Sequence, residues 1–145
     1  MIAVDTNLLV YSHRSDSPFH QPAKDLIEEL RRQQAPWAIP WPCVHEFVAI
    51  VTHPAIFKTP TPLAAAFASV DAWLAAGNVH LLAESESYLE KLRNLALTAQ
   101  LKGPRILDAR IAAICLHHGV RELWTADRDF SAFPQLSAHN PLVKR

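Results

Sequence analysis

The 145-residue sequence predicts an α/β fold, with a central, mostly parallel sheet of four to five strands and helices on both faces. Two observations predict it. Short, mostly apolar runs at residues 2–4, 37–39, 79–82 and 123–125 read as strands, and the first, without polar alternation, has the pattern of a strand covered on both sides. Between them lie longer segments whose apolar residues recur at three- and four-residue steps, so strands and helices alternate at the spacing of crossover units. The length and the 50% hydrophobic content suit one domain over residues 1–145 with a single core.

The first run, Ile2, Ala3 and Val4, stops at Asp5, Thr6 and Asn7, the first polar side chains in the chain. Any of the three could cap a short helix over residues 8–13. Residues 14–20 read as a loop, with Asp16 or Ser17 placed to cap a helix that begins near Pro18 and runs to about Gln33. In that helix Ala23, Leu26, Ile27 and Leu30 form one stripe and charged residues the other. Pro40 and Pro42 end the second strand and suit the first turn of a helix carrying Val44 to Thr52. Glu46 is the one charged residue among that helix's apolar positions, and it is expected in an apolar environment.

Three prolines make residues 53–62 a stiff loop. An alanine-rich helix follows over residues 63–76, stopped by Gly77 and Asn78, and then the third strand. Residues 85–100 form an amphipathic helix closed by Gly103 and Pro104. Residues 106–118 are almost wholly aliphatic apart from Asp108, Arg110 and the terminal histidines, which predicts the most buried helix, and Gly119 stops it. The fourth strand ends at Ala126 and Asp127 as the first ended at Asp5. Beyond Phe133 the pattern is too weak to assign a fifth strand. Trp37, Trp41, Phe57, Phe67 and Trp73 lie between the second strand and the third, where most are expected in the core.

Equal numbers of acidic and basic residues, 14 each, leave no global field to attract nucleic acid or membranes. Cys43 and Cys115 are too few and too scattered for a disulfide framework or a zinc motif, and point to buried thiols in a reducing, cytoplasmic compartment. No leader precedes the first strand, and the longest apolar stretch, residues 111–116, is far short of the roughly 20 residues that span a bilayer. Only three glycines are present, in neither a dinucleotide fingerprint nor a phosphate loop. His45-Glu46 lacks the second histidine of the zinc-protease pattern. A phosphoaspartyl phosphatase would need an Asp where Asn7 stands.

Asp5 and Asp127 follow strand ends, while Glu46 and Asp108 sit near the starts of apolar helices. In a parallel α/β sheet all these positions fall on the same edge, where such folds place their chemistry. Each acid alone could be a cap or an ion-pair partner. Together they are costly: two like charges about 5 Å apart repel by roughly 3 kcal/mol at an effective dielectric of 20. Either some are protonated or a cation is present, and hard divalent ions bind through carboxylates and waters.

The sequence resembles the PIN-domain nucleases, and among them the VapC-type toxins of bacterial toxin–antitoxin pairs. The resemblance rests on Val4-Asp5-Thr6-Asn7, Glu46-Phe47, Thr52-His53-Pro54 with Ile56-Phe57, Leu107-Asp108-Ala109 with Ile111-Ala112-Ala113, and residues 125–130, Thr-Ala-Asp-Arg-Asp-Phe. It implies a single PIN-like domain acting as a metal-dependent endoribonuclease. Asp5, Glu46, Asp108 and Asp127 would hold Mg²⁺ or Mn²⁺, with Asn7, Thr125 and Asp129 in support. It also implies a homodimer, an RNA substrate such as tRNA or rRNA, and a VapB-type antitoxin as inhibitor. Gly103 to Leu107 is more basic and more apolar than the family pattern, which bears on substrate choice. With no net charge, RNA affinity would rest on local cations, for which Arg14, Lys58, Lys102, Arg105, Arg110 and Arg128 are the candidates. Two other readings stand beside this one: a non-catalytic protein-binding module whose acids only cap helices, and a metal-dependent phosphohydrolase of a small metabolite.

Overall fold

The computed structural model describes residues 1–143; Lys144 and Arg145, the end of the expected domain, lie outside the described residues. Five strands form one sheet: β1 (Ile2–Val4), β2 (Trp37–Pro40), β3 (Val79–Leu82), β4 (Glu122–Trp124) and β5 (Ser137–His139). Their order is β3-β2-β1-β4-β5 and all neighbours are parallel, with Ala3 opposite Ala38 on one side and Leu123 on the other. β1, in the middle, is shielded on both faces, so Ala3 and Val4 are fully buried.

Six α-helices connect the strands: α1 (Thr6–His13), α2 (His20–Arg32), α3 (Trp41–Val51), α4 (Leu63–Ala75), α5 (Tyr88–Ala99) and α6 (Ile106–His117). Helix α1 packs on both α2 and α3, α3 packs on α4, and α5 packs on α6. The chain winds from β1 out to β3 and then returns past β1 to β4. With right-handed crossovers, that reversal puts α5 and α6 on the face opposite α1 to α4. It also opens a crevice beyond the C-terminal ends of β1 and β4, where doubly wound sheets bind ligands.

Several boundaries differ from expectation. Helix α1 starts at Thr6, because Asp5 accepts the Thr6 N–H and caps it. Helix α2 starts at His20 and not at Pro18, since the Asp16 carboxylate is held by Arg14 and so cannot cap. Helix α5 starts at Tyr88 and ends at Ala99, because its C-cap, Gln100, takes the left-handed conformation (φ 54°) before Gly103 is reached. The fifth strand exists but is a three-residue edge strand with two polar side chains, so no apolar run marks it.

The core is continuous through the sheet. Trp37 is completely buried, and its indole N–H donates to the Asn78 side chain at 3.1 Å. Phe47 packs edge-on against both Trp73 and His13, with ring centroids at 4.8 and 5.4 Å. Of the aromatic group expected in the core, Trp37 and Trp73 are buried and Phe57 is half-buried, whereas Trp41 and Phe67 are exposed. Helix α6 is buried from Ala109 to Cys115, apart from half-buried Arg110, but Ile106 and Leu107 at its start face solvent. Both cysteines are free and buried, and burial pushes the Cys115 thiol up to about 12, which leaves it unreactive. No helix among the described residues is long and apolar enough to cross a membrane.

Candidate active site

The abrupt end of β1 places Asp5 at the floor of the crevice, 5% exposed. Its Oδ1 accepts the Thr6 backbone N–H at 2.8 Å and its Oδ2 the Thr125 hydroxyl at 2.7 Å. The Cys43 thiol lies 3.5 Å from Oδ1. Burial pushes the Asp5 carboxyl above its usual range; the Thr125, Thr6 and Cys43 contacts oppose the shift, and the charge on Glu46 adds to it. Asp5 is thus both a helix cap and an acid of the cleft.

Helix α3 brings Glu46 across from it. Successive helical residues point about 100° apart, so with Phe47 locked in the core Glu46 must look outward. It is exposed and not in an apolar environment as expected, because the crevice beside it is open. Its Oε2 accepts the Thr6 hydroxyl at 2.8 Å. Thr6 therefore links the two acids, through its N–H to Asp5 and its hydroxyl to Glu46, a bridging role that no pattern in the sequence marks.

Asp108 and Asp127 form the facing wall. Asp108 comes from the first turn of α6, and Asp127 caps a 3-10 turn at Arg128–Ala132 by accepting the Asp129 N–H at 2.9 Å. Carboxylate oxygens of Asp108, Asp127 and Asp129 all lie within 4.8 Å of one another, the closest such grouping among the described residues. Asp129, expected only in support, thus lies within that distance of both. Burial and the Asp127 charge push the Asp108 carboxyl up; Arg105 opposes the shift and Asp129 adds to it. The Arg105 guanidinium lies 3.5 Å from Asp108 and donates to the Asp129 carbonyl at 3.0 Å.

Thr125 and Asn7 tie the walls together. Besides donating to Asp5, the Thr125 hydroxyl accepts the Asp127 N–H at 3.0 Å and the Asn7 amide at 3.3 Å, while Asn7 Oδ1 accepts the Ala126 N–H at 3.0 Å. Asp5, Glu46, Asp108 and Asp127 consequently line one cleft of about 200 Å³, with Ile50, Ile111 and Phe130 as its apolar walls.

The basic candidates separate. Arg14 is used inside the fold: it pairs with Asp16, donates to the Thr59 carbonyl and covers the Phe57 ring at 4.0 Å. Arg110 pairs with Glu84 at 2.8 Å. Lys58, Lys102 and Arg128 are exposed, and Arg105 stands beside the acids.

The acids suit a hard divalent cation. The donor set is all carboxylate oxygen, and two members are pushed towards their protonated forms, chiefly by burial and further by a neighbouring acid, a cost that a bound cation would offset.

A PIN domain family profile matches residues 2–136. Ribonuclease VapC43 of Mycobacterium tuberculosis is 35% identical over 142 residues, covering 98% of this chain and 96% of its own. In fold, the chain is similar to the M. tuberculosis sarcin-ricin-loop-cleaving toxin VapC20, with a TM-score of 0.69 at 18% identity over 94% of this chain and 98% of that one. It is similar also to VapBC2 from Rickettsia felis, solved with a promoter DNA fragment, with a TM-score of 0.70 at 18% identity over 97% of this chain and 98% of that one. With its sheet order, its acids at the switch point and these relatives taken together, the chain belongs to the PIN domain family and, within it, to the VapC-type proteins.

Proposed function

We propose that this protein is a metal-dependent endoribonuclease and the toxin of a toxin–antitoxin pair, acting as one domain over its whole length. The observation that carries this reading is the convergence of Asp5, Glu46, Asp108 and Asp127 on one cleft at the switch point of a VapC-type fold. Asp5, Asp108 and Asp127 are the residues to hold Mg²⁺ or Mn²⁺, with Glu46 and Asp129 at its margin. Bound there, a divalent cation supplies Lewis-acid polarisation of a phosphoryl oxygen and a bound water acidified towards neutrality.

The chain's own residues do the remaining work. Thr6 donates to Oε2 of Glu46, and Oε1 has no partner among the described residues, which leaves it to orient the attacking water and accept its proton. Thr125 and the Thr6 N–H hold Asp5 in a fixed orientation, so no reorganisation is needed during reaction. Arg105, beside the acids, supplies a positive charge for a phosphate of the RNA. In-line attack by water on phosphorus breaks the bond to the leaving ribose oxygen.

The assay is cleavage of folded RNA, tRNA and rRNA included, with Mg²⁺ or Mn²⁺ and with chelator, beside a generic phosphomonoester. RNA cut only with metal and an inert monoester support the reading; the reverse supports the small-metabolite phosphohydrolase, and inertness to both supports the binding module. The toxin part of the proposal adds a homodimer in the cytoplasm and a small inhibitor encoded next to this chain. An arginine or lysine of that inhibitor would relieve the repulsion among the acids. Co-expression with each neighbouring gene product, followed by size-exclusion chromatography, tests it.

A further inference from the structure

A second cleft, of about 470 Å³, opens where the 3-10 turn Arg128–Ala132 faces the end of β5. Asp127 lines this cleft and the acid cleft alike. We propose that it is a nucleobase subsite: it takes the base of a nucleotide flanking the bond to be cut, and so sets the sequence that is cut. The proposal rests on the ribonuclease reading above.

Size, lining and position support it. The volume falls within the roughly 300–1,000 Å³ of clefts that hold small organic ligands. Ala126, Ala138 and Val143 give it an apolar wall against which the flat face of a base can lie. Arg128, His139 and Asn140 form the polar rim. The Arg128 guanidinium makes no ion pair or hydrogen bond among the described residues, although it adjoins Asp127. Asn140 accepts the Leu142 N–H on Oδ1 at 3.0 Å, which orients its amide and leaves the two Nδ2 hydrogens without a partner among the described residues. The His139 ring is held edge-on by Trp124 at 6.2 Å, with Nδ1 4.0 Å from Glu122. Fixed donors above an apolar wall read the edge of an unstacked base. The Arg128 guanidinium only donates, and the part of Asn140 left unpaired by Leu142 N–H includes both Nδ2 hydrogens, so a base edge that presents acceptors, as the N7–O6 edge of guanine does, fits this rim best. Because Asp127 belongs to both clefts, a strand whose phosphate meets the acids has an adjoining nucleoside at this rim.

The test is limited digestion of a ribosomal RNA transcript by the full chain with Mg²⁺, with every cut mapped to the nucleotide. Wild type is expected to favour one base, guanine first, at one position beside the cut. Asn140→Ala and His139→Ala should each weaken that preference roughly 5- to 100-fold at that position alone, the effect of one lost base-edge contact. Neither should change the Mg²⁺-induced rise in melting temperature, which reports the acids and the integrity of the fold. Ala138→Trp, which fills the cleft, should slow cleavage with the same rise retained. A wild type without base preference, or a preference unchanged in Asn140→Ala and His139→Ala, overturns the subsite while the ribonuclease reading stands. No metal-dependent cleavage by wild type overturns both.

Discussion

Thr125 donates its hydroxyl to Asp5 at 2.7 Å, across the join between the two strands whose ends carry the cleft's acids. The same oxygen accepts the N–H of Asp127 at 3.0 Å, so one buried side chain sets the spacing of the acids that follow β1 and β4. This shared hydroxyl makes the cleft a rigid unit, and removing it should disturb both stability and proton affinity.

Thr125→Val keeps the shape but leaves a buried carboxylate oxygen and a backbone N–H unpaired. We expect a loss of about 1–3 kcal/mol, measured by denaturant unfolding. The Thr125 hydrogen bond lowers the Asp5 pKa, which burial has already raised. Its loss should push that pKa further up and move the acid limb of the pH–rate profile to higher pH. Thr125→Ser should restore both.

The raised Asp5 and Asp108 carboxyls also give stability a pH dependence of a definite sign. In metal-free protein the folded state holds these protons to higher pH than the unfolded chain does. Their contribution is therefore present at low pH and lost as pH rises from the ordinary carboxylate range through the raised folded values. Thermal melts in chelator between about pH 4 and pH 7 should show a steeper decline for wild type than for the Asp5→Asn, Asp108→Asn double variant. Asp16 and Glu84 are shifted the other way by Arg14 and Arg110, but both proteins share them.

Thr6→Val severs the hydroxyl link to Glu46 without touching the backbone N–H that Asp5 accepts. Turnover should fall while the metal-induced melting shift largely persists, because Glu46 is freed but not removed. Thr6→Ser should rescue turnover, and an unchanged rate in Thr6→Val would show that Glu46 needs no support.

Arg105 is a positive charge beside the acid group, 3.5 Å from Asp108. Arg105→Gln should tighten divalent-metal binding severalfold, read by calorimetry at low salt, because like-charge repulsion of the ion is removed. RNA binding should weaken in the same variant, since one phosphate contact is lost.

Strand edges were the most legible part of the chain, because a buried parallel strand must be apolar and its polar stop marks the edge where chemistry sits. That pattern puts Asp5, Glu46, Asp108 and Asp127 on one edge of the sheet, and all four line one cleft there. It could not place β5, since an edge strand of Ser137, Ala138 and His139 needs no apolar run. Nor could it find Thr6 as a bridge between acids, and Asp129 entered only through the family resemblance, as a supporting residue. Those roles depend on side-chain distances across elements, and spacing along a chain carries no trace of them. Arg14 shows the converse limit: its charge suggested a ligand, yet the fold uses it to bind a neighbouring loop.

The central claim is that these acids hold a divalent ion for RNA cleavage, and it is tested most directly by Asp5→Asn and Asp108→Asn assayed beside wild type for cleavage and for melting with and without Mg²⁺. At free metal about 100-fold above its dissociation constant, wild type should gain about 2.7 kcal/mol of stability. Each variant should lose cleavage and most of that gain, yet melt without metal at or above the wild-type temperature, because one repelling charge is gone. Variants that cut RNA at the wild-type rate, or that keep the full metal-induced gain in stability, would contradict the account.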